Sequence, residues 1–166
     1  MAKKQGGGDK SDKADKATKA ANADPHWGNE PAEHDFPAAA DYLSLLGTAS
    51  EVRRLVTALK VGPVEHRKAK DLLRASRLAL LPKDNPHVVS DLAKVAGGTK
   101  LSPVLLVRGD LQHDVALTIA DGYHRVCASW YLDENADIPC HLVDLRPSGA
   151  RTASRTRSRS APAAPA

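Results

Sequence analysis

The chain of 166 residues is poor in aromatics, at 4%, and has two cysteines, Cys127 and Cys140. Two cysteines cannot form a disulfide framework, so reduced thiols in a cytoplasmic protein are expected. No apolar run approaches the ~20 residues of a membrane span. The opening stretch MAKKQGGGDKSDKADKATKA has charge but no apolar segment, which excludes a secretory signal. It is also too acidic and too poor in Arg for a transit peptide.

Core-forming residues are missing from both ends. Residues 1–24 contain no Leu, Ile, Val or Phe, and SGARTASRTRSRSAPAAPA near the other end is equally poor in them. Such segments cannot bury enough apolar surface to offset the entropy of ordering, so both ends are expected to be disordered. Charge divides the same way. The net charge of +4 comprises +2 from residues 1–24, +5 from 146–166, and −3 from 25–145, which hold 13 basic and 16 acidic residues. The interior is slightly acidic, and the ends make the chain basic.

Between the ends, the apolar pattern predicts helices, strands and a single fold. A helix is expected over 37–46, ending at Gly47. A second starts at Ser50 as cap, with Val52, Leu55, Val56 and Leu59 on one stripe and Gly62-Pro63 as its stop. Val64–Lys70 reads as a strand, followed by a short helix capped by Asp71. Pro86 seats a helix over 87–96 that Gly97-Gly98 ends. Strands are expected at 104–107, 115–120 and 140–145, and a helix over 125–134. This order is a mixed α+β arrangement with a small sheet and packed helices.

The most informative segment is ThrIleAlaAspGlyTyrHisArgValCysAlaSerTrp, residues 118–130. A strand ends in Asp121-Gly122 and a helix begins within a few residues. Gly122 permits a tight backbone path and the close approach of a ligand. The first turn of the helix offers free N–H groups and partial positive charge, to which His124 and Arg125 add side-chain donors. Phosphate would be met there by amides, a guanidinium and an imidazole. The structural alternative needs only Asp121 as cap and Gly122 in the turn, with Arg125 paired to a nearby acid.

This corner, with ProLysAspAsnProHis (82–87), LeuSerProValLeuLeuVal (101–107) and IleProCysHisLeuVal (138–143) in the same order, resembles the ParB/sulfiredoxin superfamily. The resemblance covers about Val64 to Leu145. It implies four parts: an end segment 1–24, a helical extension 25–63, a stand-alone ParB/sulfiredoxin-like domain 64–145, and an end segment 146–166. It also implies a nucleotide (ATP, ADP or CTP, with Mg2+) bound by Asp121, Gly122, Tyr123, His124 and Arg125. Asp121 would cap the turn or hold a metal-bound water. Sulfiredoxins carry a Cys between the Gly and the His-Arg; Tyr123 stands there in this chain, so that chemistry lacks its nucleophile. Cys127, inside the helix, reads as a small buried hydrophobe. The ParB partition proteins follow their signature with a second nucleotide motif and a helix-turn-helix, neither of which occurs after Leu145. Asp-Gly-Tyr-His-Arg is closer to the free-serine kinase branch, for which Glu65 and Asp71 are candidate bases. An enzyme of this kind would transfer phosphoryl groups or hydrolyse nucleotides; catalytic residues are otherwise unassigned.

Other candidates have bland alternatives. His87, Ser90 and Lys94 lie at helical spacing on one face, either toward a nucleotide or toward solvent. His66, Lys68 and Lys70 alternate along a strand, as an anion-facing row or as a guarded edge. Pairing His124 with Cys127, or Cys140 with His141, matches no closed zinc pattern, so no metal is expected. Trp27 and Phe36 are expected to staple the entry segment onto the domain. The terminal Arg/Ser run would bind a DNA backbone weakly and non-specifically, or serve solubility alone. A non-catalytic DNA-associated protein is therefore the alternative to nucleotide binding; no membrane partner is expected.

Overall fold

A computed structural model describes residues 26–146. The two ends expected to be disordered lie outside the described residues, apart from Arg146. Nine elements follow in order: α1 (Asp35–Ser44), α2 (Ala49–Val61), β1 (Val64–Lys68), α3 (Ala69–Ser76), α4 (Pro86–Ala96), β2 (Val104–Arg108), β3 (Thr118–Asp121), α5 (Tyr123–Leu132) and β4 (Asp137–Asp144). The fold is α+β, around a mixed four-stranded sheet.

The sheet order is β1-β4-β2-β3. β4 runs antiparallel to β1 and parallel to β2, and β3 returns antiparallel to β2. Helices cover both faces. On one side Phe36, Ala39, Leu43, Val52, Leu55 and Leu59 pack against Leu105, Val107, Ala120 and Val143. On the other, Leu72, Val88, Val95, Val126 and Cys127 pack against Val104, Leu106, Ile119, Ile138 and Cys140. Alternate residues of β2 thus enter opposite cores, which is why ValLeuLeuVal is an unbroken apolar run rather than an alternating one. The helices of residues 35–61 are part of this sandwich. Trp27 is buried in the α4 core and Phe36 in the α1–α2 core, as the staple reading expects.

Element ends differ from the sequence expectation for identifiable reasons. α1 spans 35–44 rather than 37–46, since Pro37 fits anywhere in a first turn. Thr48, not Ser50, caps α2: its backbone N–H donates to Glu51 Oε2 at 2.8 Å and its hydroxyl accepts from Glu51 N, a reciprocal capping box. Lys68 is the N-cap of α3, so Asp71 lies in the first turn and Lys70 is helical rather than in β1. The row His66-Lys68-Lys70 therefore does not form. β1 is an edge strand, and Lys68 Nζ is held by Asp137 Oδ1 and the Asn135 carbonyl, each at 3.0 Å.

β3 is shorter than 115–120; Val115 instead bridges Asp110 across the preceding loop. α5 starts at Tyr123, two residues before the expected 125. β4 begins at Asp137 and includes Pro139. Proline there is tolerated because β2 joins β4 from Cys140 onward, so at Pro139 β4 has β1 alone as neighbour.

Candidate functional site

The corner from β3 into α5 is built on Gly122. Its φ is +98°, a left-handed conformation, and an added Cβ would lie 2.6 Å from Val104 Cγ1. Glycine is required here by backbone and packing together. The surface it lets approach is the β2 side chain of Val104. Gly122 also occupies the N-cap of α5, the place expected of Asp121, and no side chain caps this helix. The first intrahelical bond is Val126 N–H to Gly122 O at 3.0 Å. The N–H groups of Tyr123, His124 and Arg125 precede it, as in any first turn.

Asp121 is instead turned inward to Arg125. The Arg125 side chain is 11% exposed and is enclosed by acceptors. Its Nη1 donates to the Ser102 carbonyl at 2.9 Å and to the Ser102 hydroxyl. Both nitrogens face Asp35, at 3.2 Å from Oδ2 and 3.3 Å from Oδ1, and Nη2 pairs with Asp121 Oδ2. Asp35 is 3% exposed and accepts further from Ser102 Oγ at 2.7 Å and Ala32 N–H at 2.9 Å. Two carboxylates from separate elements thus share one guanidinium. Burial works to raise the Asp35 pKa, but Arg125, Ser102 and the Ala32 amide outweigh it and hold the carboxyl below its ordinary value. For Asp121, burial dominates and, with the charge and hydrogen bond of Asp35, lifts the carboxyl above its ordinary range against the pull of Arg125. Arg125 is therefore a tie between the start of α1, the strand entry at Ser102 and the corner.

His124 faces a different neighbourhood. Its ring lies 4.6 Å from that of His87, centroid to centroid, and 5.8 Å from Tyr123. His87 belongs to the first turn of α4, where Asn85 Oδ1 accepts from the N–H groups of His87 and Val88. The starts of α4 and α5 therefore meet through their histidines. Burial first, then His87, push the His124 imidazole below its ordinary value, while Asp91 works the other way. Lys94 is drawn to the buried Asp91 at 2.7 Å, and Ser90 is exposed on the same helix. The Tyr123 hydroxyl donates to the Ala79 carbonyl.

The remaining candidates are separate from this junction. Glu65 pairs with Arg67, and Asp71 with Arg74 at 3.1 Å. Cys127 and Cys140 are free and buried. Burial raises both thiols, Cys140 to about 12, so neither is an activated nucleophile. Cys140 and His141 point to opposite faces of β4, and His141 Nδ1 lies 2.7 Å from the Leu59 carbonyl. No cluster of three metal-ligating side chains occurs among the described residues. No helix among them is long and apolar enough to cross a membrane.

Sequence reading missed Asp35 and Ser102 as partners of Arg125. It also missed a cleft of about 810 Å³ lined by Arg67, Arg74, Arg77, Arg108 and Arg146. These arginines are scattered over 80 residues of sequence and share no motif. No family model, curated protein or solved structure matches the chain.

Proposed function

We propose that this chain is a ParB/sulfiredoxin-like domain that binds a phosphate-bearing ligand, a nucleotide such as ATP, ADP or CTP with Mg2+, where α4 and α5 begin. The observation that supports this reading is the ring contact of His87 with His124, tilted at 38° with centroids 4.6 Å apart. It joins two residues far apart in sequence at two helix starts, where both helix dipoles favour an anion and α5 adds its first-turn N–H groups, those of His87 and Val88 in α4 being taken by Asn85. His124, His87 and the first-turn amides of α5 are the phosphate contacts in this reading. Gly122 sets the backbone path, while Asp121 and Arg125 hold the corner from behind. Phosphoryl transfer or nucleotide hydrolysis is the reaction class such a ligand admits. A cytoplasmic location accords with two free thiols.

Calorimetry of the full chain with ATP, ADP and CTP, with and without Mg2+, tests this. His87→Ala and His124→Ala should each weaken binding by about tenfold, equivalent to roughly 1.4 kcal/mol. Absence of binding at millimolar nucleotide, or binding indifferent to both substitutions, would exclude the site. A second reading is association with DNA through the terminal Arg run, whose five arginines without an acid favour a phosphate backbone.

A further inference from the structure

The sheet ends in β1 on one side and β3 on the other, and among the described residues no strand lies beyond β1. Opposite residues of an antiparallel pair alternate between exchanging both backbone hydrogen bonds and exchanging none. Ala69 N–H donates to the Ala136 carbonyl at 3.1 Å, one step beyond the Lys68–Asp137 pair. Counting back in steps of two, Arg67 and Glu65 turn their backbone groups to β4, whereas Lys68, His66 and Val64 turn theirs outward. Pro139 agrees, since it stands opposite His66 and has no N–H to give. The outer edge thus presents the N–H and C=O of His66 at its centre, flanked by the Val64 carbonyl and the Lys68 N–H.

Edge strands are ordinarily blunted by an outward Lys, a Pro or a bulge. β1 pairs in regular register over all five residues and contains no Pro. Its Lys68 is drawn back over β4 by Asp137 and the Asn135 carbonyl, leaving the edge clear. The other edge strand, β3, has four residues, and its register with β2 shifts between Leu105 and Leu106. One outward group of β1 has a stand-in partner: Arg67 Nη1 donates to the His66 carbonyl at 2.8 Å, while Nη2 pairs with Glu65. The Arg67 and Glu65 side chains are 39% and 32% exposed, so water screens their pairing and lets it exchange.

The charge pattern of this edge is complementary to itself. An antiparallel pairing of two β1 strands centred on His66 sets Glu65 opposite Arg67 of the second copy, and Arg67 opposite its Glu65. No charge loses its partner, because each meets an opposite one both along and across the strands. Centring on Glu65 or Arg67 would set like charges opposite, and centring on Val64 or Lys68 runs into Pro63 or α3. We infer that two copies of this chain pair edge to edge through β1, joining their four-stranded sheets into one. The His66 N–H and C=O bond those of His66 in the second copy, and the Lys68 N–H bonds its Val64 carbonyl. Val64, which is 40% exposed, comes to lie beside the Lys68 stem of the second copy. Such a two-fold contact uses the same surface twice and closes at two copies. The β3–α5 corner is on the opposite edge of the sheet, so this inference is independent of the nucleotide reading.

Sedimentation velocity of the full chain from about 5 to about 500 µM, the range suited to so short an interface, tests this. Wild type should pass from monomer to dimer across that range. Arg67→Glu and Glu65→Arg, each alone, should weaken dimerisation by at least about tenfold, because each sets like charges opposite. An equimolar mixture of the two single variants sets opposite charges across the strands again. It should dimerise to within about threefold of wild type. In wild type, amide exchange at His66 and Lys68 should slow as concentration rises, while Glu65 and Arg67, whose N–H groups already face β4, should not change. A monomer at every concentration overturns the inference. So does a dimer indifferent to both substitutions, a mixture that stays monomeric, or a dimer without slowed exchange at His66 and Lys68.

Discussion

Arg125→Ala should unfold the protein far more readily than removal of a surface arginine. The guanidinium is 11% exposed and faces Asp35, which is 3% exposed, with Asp121 on its other side. Truncation leaves Asp35 enclosed, with Ser102 Oγ and the Ala32 amide as hydrogen-bond donors and the exposed His34 ring 3.5 Å from Oδ1. Breaking a buried pair by removing one partner costs roughly 3–5 kcal/mol. The several hydrogen bonds lost are part of that figure rather than additions to it, because they share the same two groups. With a urea m-value of about 2 kcal/mol/M, the midpoint at pH 7.5 should fall by about 2 M. Asp121 has a raised pKa, so it protonates first on acidification, and the deficit of the variant should narrow as pH falls. Adding Asp35→Asn to Arg125→Ala should recover part of the loss, since it removes the stranded charge. An Arg125→Ala midpoint at pH 7.5 within about 0.5 M of wild type, equivalent to about 1 kcal/mol, would refute this reasoning. It would mean that the guanidinium is solvated and available to a ligand.

Gly122→Ala should cost about 2–3 kcal/mol in the same denaturation assay, since a positive φ and a 2.6 Å clash with Val104 act together. Gly98→Ala, at φ +77° with open space around it, should cost about 1 kcal/mol; equal losses at the two sites would count against the clash. Asp35→Asn should destabilise more than Asp121→Asn at pH 7, and the gap should close towards pH 3. The Asp35 contribution is present above the unfolded value of 3.8 and is lost as pH falls through its lower folded value. Asp121 has the opposite sign: its contribution is full below 3.8 and is lost as pH rises through its higher folded value. Cys127 and Cys140 should resist a thiol reagent at pH 8 in native protein and react at once in denaturant; rapid native labelling would contradict their burial.

Local signals located most elements. Pro86 and Gly97 bracket α4 as the sequence indicates, and the ValLeuLeuVal run is the doubly covered strand. Ends were less legible, because competing caps decide them: Thr48 and Ser50 are chemically equivalent, and Thr48 prevails because Glu51 stands three residues on to reciprocate. The corner illustrates a deeper limit. Gly122 and Arg125 stand out in the sequence, but the acid that claims Arg125 lies 90 residues earlier, in a stretch read as an entry segment. Nothing in the spacing of Asp35 marks it as buried. His87 and His124 were separate candidates until the packing of α4 against α5 brought their rings together.

The sheet order has a consequence for synthesis. Of the four described strands β1 is made first and β4 last, yet β4 stands between β1 and β2 and supplies the pairing that joins them. While residues 137–144 are still unmade, Val64–Lys68 has no strand beside it, and β2 has β3 alone. The emerging chain therefore holds two unpaired edges and two half-formed apolar layers until its final strand arrives. Long-range pairing of this kind is slow and exposed to misassembly. Completion of the sheet therefore waits on synthesis of residues 137–144, and the Arg-rich segment follows directly behind the strand that closes it.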